Sequence, residues 1–84
     1  MKTVADNKEK IRQFLIEKLA KAKKVKNIDD QDNLIENGII DSLGIMQLVA
    51  YLENTFAVKV KDEDIVPENF ETLNVITSYV ERLR

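Results

Sequence analysis

The chain has 84 residues and contains neither cysteine nor histidine. Without cysteine it can form no disulfide framework and no thiolate metal site, and without histidine it lacks the commonest protein ligand of zinc and non-haem iron. The fold must therefore be held by packed apolar side chains, although a chain this short buries only about 60–65 % of its unfolded surface. We expect one compact domain over residues 1–84 and no metal site.

Apolar side chains recur every three or four residues in three segments, which is the pattern of amphipathic helices. We expect helices at about residues 4–24, 42–56 and 73–83, and a short acidic helix at about 62–66 that Pro67 ends. The expected buried positions are Ile11, Phe14, Leu15, Leu19 and Ala22, then Ile45, Leu48, Val49, Leu52 and Phe56, and finally Leu73, Ile76, Tyr79, Val80 and Leu83. The predicted fold class is all-α, a four-helix bundle of three longer helices, one short helix and a long first loop.

The connections between these helices carry their own signals. Residues 25–41 form a loop that is long for so small a domain and must be anchored or functional. Its expected anchors in the core are Ile28, Leu34, Ile35, Ile39 and Ile40. Gly38 is expected to supply a backbone conformation that a β-carbon would hinder. Residues 57–61 alternate like a strand but have no partner strand, so we expect an isolated extended segment. The expected helix caps are Thr3 or Asp6 for the first helix and Thr72 for the last.

The net charge of −2 hides an uneven distribution along the chain. Residues 1–27 hold nine basic and three acidic side chains, a balance of +6, whereas residues 28–84 hold four and twelve, a balance of −8. The basic cluster Lys18–Lys26 leaves open a small helical nucleic-acid-binding domain, but the pI of about 5.1 and the few aromatic residues do not favour it. No basic residue occurs between positions 27 and 58, so a partner that approaches this stretch should present a basic surface.

Ser42 lies in this anionic stretch, in the sequence Asp41-Ser42-Leu43-Gly44 at the start of the second predicted helix. A serine nucleophile needs a neighbouring base, yet histidine is absent and the nearest lysine is sixteen positions away. We therefore expect no catalytic residue and no enzymatic activity. An ordinary helix cap, in a pure interaction module, would account for Asp-Ser. Gly44 is either a tolerated weak point in the helix or leaves room for a molecule that docks beside Ser42.

The run 36–43, the acidic turn 62–65 and the Thr72-capped last helix together resemble an acyl carrier protein. The resemblance covers nearly the whole chain and is closest over residues 34–80. In that family the serine of Asp-Ser-Leu carries 4′-phosphopantetheine through a phosphodiester, donated from coenzyme A by a separate transferase. The resemblance implies attachment at Ser42, with an acyl or aminoacyl group held as a thioester on the arm.

The sequence also departs from the housekeeping fatty-acid carriers of that family. Those carriers have a strongly acidic second helix, whereas here Gly44 and Gln47 are uncharged and Glu53 is the only acid between Ser42 and Phe56. In this respect the chain is similar to discrete carriers dedicated to one pathway, including those that an adenylating ligase charges with an amino acid or an unusual acyl group. A housekeeping role in fatty-acid synthesis remains the alternative.

The resemblance also implies which proteins the chain meets. The implied partners are a phosphopantetheinyl transferase, a ligase that loads an acyl or aminoacyl group, and downstream acyl-processing enzymes. The residues expected to contact them are Asp41, Leu43, Gly44, Met46, Gln47 and Ala50. No apolar run is long enough to span a membrane, so we expect a protein of the cytoplasm. We also expect a monomer.

Overall fold

The computed structural model describes residues 4–19 and 27–84. Within them the chain forms four α-helices, one π-helical segment and one 3₁₀ turn, and no strand. The elements are α1 (Val4–Phe14), which continues as a π-helical segment (Leu15–Leu19), α2 (Ser42–Phe56), a 3₁₀ turn (Asp62–Asp64), α3 (Pro67–Phe70) and α4 (Leu73–Leu83). The all-α class predicted from the sequence is confirmed. No described helix is long and apolar enough to cross a membrane.

The first helix follows its predicted apolar stripe as far as the structure describes it. Ile11 and Leu15 are fully buried, and Phe14 and Leu19 pack against the core. The predicted continuation over residues 20–24, with Ala22, lies outside the described residues, as does the proposed cap Thr3. The alternative cap Asp6 is wrong, because Asp6 lies inside the first turn, where an acid favours the helix dipole instead.

The loop before α2 is anchored as expected by buried isoleucine and leucine side chains. Ile28, Leu34, Ile39 and Ile40 are buried, and Ile35 packs against them. Its backbone is tied to the region around α4, because Leu34 N–H donates to the Glu71 carbonyl at 2.7 Å. Gly38 has a φ of 78°, the left-handed conformation for which a glycine was predicted.

One carboxylate, Asp30, fastens the same loop to the first helix. It accepts from Lys8 Nζ at 3.1 Å and from Arg12 Nη2, which lie 22 and 18 positions earlier in the chain. Arg12 also donates to the Ile28 carbonyl, and Lys8 Nζ donates to Asn74 Oδ1 at 2.7 Å. The hydrogen bond from Arg12 is the largest cause that lowers the pKa of Asp30 below its ordinary value, and the hydrogen bond from Lys8 is the second.

The short helix predicted at about 62–66 needs correction. Residues Asp62–Asp64 form only a 3₁₀ turn, and Pro67 begins the separate helix α3 rather than ending the first one. The physical reason is that proline fits the first helical position, where its missing N–H removes no helical hydrogen bond. Asp64 connects the 3₁₀ turn to the helices that follow it. Its carboxylate Oδ2 accepts from Tyr79 O–H of the last helix, and its backbone carbonyl accepts from Asn69 Nδ2 of α3, each at 2.8 Å.

The extended segment 57–61 is attached to the core without pairing to any described strand. Ala57 ends α2 in the left-handed conformation with a φ of 56°. Val60 is buried, and its N–H donates to Glu53 Oε2 at 2.9 Å. A side chain of α2 therefore supplies the acceptor that a neighbouring strand would otherwise give.

The last helix, α4, is capped by Thr72, whose Oγ1 accepts from Val75 N–H at 3.1 Å. Its buried stripe lies against α1 and α3. The buried members of the predicted stripe are Leu73, Ile76, Tyr79 and Val80, and Leu83 packs against them. The Phe70 ring meets the Tyr79 ring edge to face, with centroids 5.8 Å apart. These side chains belong to one core, to which α1, the long loop and α2 also contribute buried residues.

Candidate functional site

The first turn of α2 is built on Asp41. This residue is extended, with φ −111° and ψ −172°, and its side-chain Oδ1 accepts from Gly44 N–H at 2.7 Å. Its backbone carbonyl accepts from Ile45 N–H at 2.9 Å, the first hydrogen bond of the helix. Asp41 is therefore the cap, which leaves Ser42 as the first helical residue with an exposed side chain.

An uncharged surface extends along α2 from Ser42. Leu43 and Met46 are the two large apolar side chains that the described residues leave exposed, with 68 % and 55 % of their surface accessible. Gln47 and Ala50, one turn further on, are exposed as well. Covering Leu43 and Met46 with the surface of another protein would remove apolar area from water, which is favourable. The role of these four side chains in recognition stays a prediction.

Gly44 lies on the other side of the helix. It is buried, and a β-carbon built on it would lie 3.2 Å from Asp41 Oδ1 and 3.7 Å from both methyl carbons of Leu19. The space that the missing side chain leaves therefore lies beside the Asp41 carboxylate and the Leu19 methyl carbons. The contact of Gly44 with a partner stays a prediction.

The site suits a negatively charged group on the Ser42 oxygen. The first backbone amides of a helix have no intrahelical acceptor and carry the positive end of the helix dipole, so an anion there is stabilised. The exposed hydroxyl is accessible to an external enzyme, and no described side chain covers it as Leu19 covers Gly44. The residues present thus fit a phosphodiester at Ser42.

Two open grooves of about 520 and 510 Å³ lie elsewhere on the surface. The first is lined by the stacked rings of Phe14 and Tyr51, whose centroids are 4.2 Å apart, together with polar side chains of α1 and of the π-helical segment. The second is lined by Arg12, Gln31 and two acids of the loop, including Asp30. Ser42 lines neither groove.

Comparison with known proteins decides between a carrier and a plain helix cap. The family model for the phosphopantetheine attachment site matches residues 9–80. The chain belongs to the phosphopantetheine-binding carrier protein family. The predicted acyl-carrier resemblance is thereby confirmed, and a covalently attached 4′-phosphopantetheine is the carrier's cofactor.

The carrier is also similar to curated D-alanyl carrier proteins. It is 38 % identical over 60 residues to that of Streptococcus uberis (strain ATCC BAA-854 / 0140J), and the match covers 71 % of this chain and 75 % of the relative. It is 35 % identical over 60 residues to those of Streptococcus pyogenes serotypes M5 and M1, with the same coverage. These relatives fit a specialised aminoacyl carrier rather than a housekeeping one.

Two features of the carrier near the site had no signal in the sequence. Leu19 was assigned only to the core, yet its methyl groups lie beside Gly44, which is 25 positions later in the chain. The apolar repeat of one helix cannot indicate a contact with another helix. The Asp30 contacts with Lys8 and Arg12, which anchor the loop leading to Ser42, join residues far apart in sequence. Of the basic cluster Lys18–Lys26, only Lys18 lies within the described residues.

Proposed function

We propose that this carrier holds D-alanine as a thioester on a 4′-phosphopantetheine arm attached to Ser42. The observation that carries the proposal is the match of 38 % over 60 residues to a D-alanyl carrier protein, together with the exposed serine that follows the Asp41 cap. The arm supplies the thiol chemistry that a chain without cysteine lacks.

The second helix supports a dedicated rather than a housekeeping carrier. Around Ser42 the exposed face of α2 is formed by Leu43, Met46, Gln47 and Ala50, none of which is charged. The one acid of the helix, Glu53, is engaged with Val60 N–H. Enzymes that visit Ser42 would therefore meet an apolar and neutral face on α2, rather than the acidic one of housekeeping fatty-acid carriers.

Each residue of the site has a distinct task in this proposal. Asp41 fixes the start of the helix and adds negative charge beside the attachment oxygen, and Ser42 offers its hydroxyl to the transferase. The side chains of Leu43 and Met46 are the apolar contacts for the visiting enzymes. The partners are a phosphopantetheinyl transferase, an adenylating ligase for D-alanine and an enzyme that accepts the aminoacyl group. The protein works as a single domain in the cytoplasm.

The test is a loading assay with the phosphopantetheine-bearing protein. The carrier is incubated with ATP, D-alanine and a D-alanine–carrier protein ligase, and in parallel with ATP, a fatty acid and an acyl-carrier ligase. Intact mass should show one D-alanyl group, removed by hydroxylamine as expected for a thioester, and little fatty acylation.

Matched controls come from the two serines of the chain, Ser42 and Ser78. Ser78 is exposed on α4, a different helix from the one that begins at Ser42, so Ser78→Ala should load like the wild type, whereas Ser42→Ala should not load. Fatty acylation without D-alanylation would contradict the proposed cargo and favour the housekeeping alternative.

A further inference from the structure

We propose that Gly44 is a positioning residue for Ser42: its missing β-carbon leaves room for the Asp41 carboxylate to close on the first turn of α2, beside the methyl carbons of Leu19. The inference rests on the proposed attachment at Ser42. It assigns to Gly44 a task inside the protein, different from the partner contact expected from the sequence.

The backbone alone does not require glycine at this position. Gly44 lies in a regular helix, and of the two glycines only Gly38 has a positive φ. Alanine could adopt the same conformation, and alanine is the better helix former. The reason for glycine must therefore lie in the space around the position where a side chain would begin.

That space is limited by the cap itself. A β-carbon at Gly44 would lie 3.2 Å from Asp41 Oδ1, closer than ordinary van der Waals contact, whereas its 3.7 Å distances to the Leu19 methyl carbons are ordinary. The same oxygen is held by Gly44 N–H at 2.7 Å. An alanine would therefore press the carboxylate away from the amide that it caps, by a few tenths of an ångström.

The displacement would be felt at Ser42 because Asp41 is its immediate neighbour. In the transfer reaction the Ser42 oxygen bonds to the pantetheine-bearing phosphorus of coenzyme A, the pyrophosphate P–O bond breaks, adenosine 3′,5′-bisphosphate leaves, and the hydroxyl proton passes to a base of the transferase. Such a displacement depends strongly on the position of the attacking oxygen. The exposed side chains Leu43 and Met46 lie away from the contact, so docking should be preserved.

The experiment measures kcat and KM of a phosphopantetheinyl transferase on Gly44→Ala, Asp41→Ala and the double variant. Gly44→Ala should lower kcat about three- to tenfold and leave KM for the carrier within about twofold, because only the geometry of attack changes. In the Asp41→Ala background the same substitution should have less than about a twofold effect, because the group through which it acts is gone. Asn54→Ala, at an exposed position of the same helix, should leave both constants unchanged.

Equal losses of kcat in the two backgrounds, or no loss in either, would overturn the proposal. Thermal unfolding gives a second cycle that does not depend on the transferase. Gly44→Ala should raise Tm by about 4 °C in the Asp41→Ala background, from helix propensity alone, and by less in the wild-type background. Equal shifts in both backgrounds would also overturn it. If the wild type is not modified while a known carrier is, the attachment at Ser42 fails, and the unfolding cycle still reports whether Gly44 and Asp41 are coupled.

Discussion

Replacing Tyr79 by phenylalanine tests how the 3₁₀ turn is held to α4. The Tyr79 hydroxyl donates to Asp64 Oδ2 at 2.8 Å, and its ring is buried against Phe70. The substitution keeps the ring and removes only the oxygen, so it opens no large cavity. At neutral pH the lost hydrogen bond should lower the free energy of unfolding by about 1 kcal/mol, which is about 4–8 °C in Tm for a domain of this size.

At alkaline pH the wild type should lose stability as the Tyr79 hydroxyl loses its proton. Burial first, and then the hydrogen bond to Asp64, raise the pKa of Tyr79 from its ordinary 10.0 to about 12. A group whose pKa is raised on folding stabilises the fold fully below its unfolded pKa, and that stabilisation is lost as the pH rises toward the folded pKa. At about pH 11 the wild type should have lost about 1.4 kcal/mol relative to neutral pH through this group alone.

The loss at high pH is about as large as the gain from the hydrogen bond at neutral pH. Urea unfolding of wild type and Tyr79→Phe should therefore show the wild type more stable at about pH 8 and the two proteins nearly equal at about pH 11. Asp64→Asn, which keeps an acceptor oxygen, should cost less than Tyr79→Phe at neutral pH. A difference between wild type and Tyr79→Phe that stays constant over this pH range would refute the reasoning.

Substitutions at three further positions have defined outcomes. Thr72→Ala removes the oxygen that caps α4 and should lower the free energy of unfolding by about 1 kcal/mol in urea, whereas Thr72→Ser should keep most of it; equal losses would contradict the cap. Ala57→Gly should raise the same free energy by about 1 kcal/mol, because the residue has a φ of 56°, and a loss would show that the strain is absent. Because pairing lowers the pKa of Asp30, its stabilisation is present above its ordinary pKa of 3.8 and is lost as the pH falls. Asp30→Asn should therefore lower Tm at neutral pH and match the wild type in acid; a difference that persists in acid would exclude the ion pairs as its cause.

The helices and their buried faces were predictable because apolar periodicity is a local property of the sequence. Side chains held by distant partners were not. Asn7 is 1 % exposed and donates from Nδ2 to Glu81 Oε2, which is 74 positions away, and nothing near Asn7 in the sequence indicates this contact. Thr77 is buried on α4, and its hydroxyl donates to the Leu73 carbonyl. This hydrogen bond offsets the cost of burying a polar group.

The serine at the start of α2 was predictable from a short run of neighbouring residues, which left the cap open between Asp41 and Ser42. The surroundings of Gly44 were not predictable. Gly44 lies beside Leu19, which belongs to the helical segment that precedes the long loop. The sequence shows that a glycine follows Asp-Ser-Leu. Only the packing of the two helices shows which atoms surround the position that its β-carbon would occupy.

The attachment of phosphopantetheine at Ser42 is tested most directly by intact-mass measurement. The protein is incubated with coenzyme A and a broad-specificity phosphopantetheinyl transferase, beside a known carrier as positive control. Wild type and Ser78→Ala should each gain one phosphopantetheine group, and Ser42→Ala should gain none. A gain that persists in Ser42→Ala, or no gain in the wild type while the known carrier is modified, would contradict the central claim.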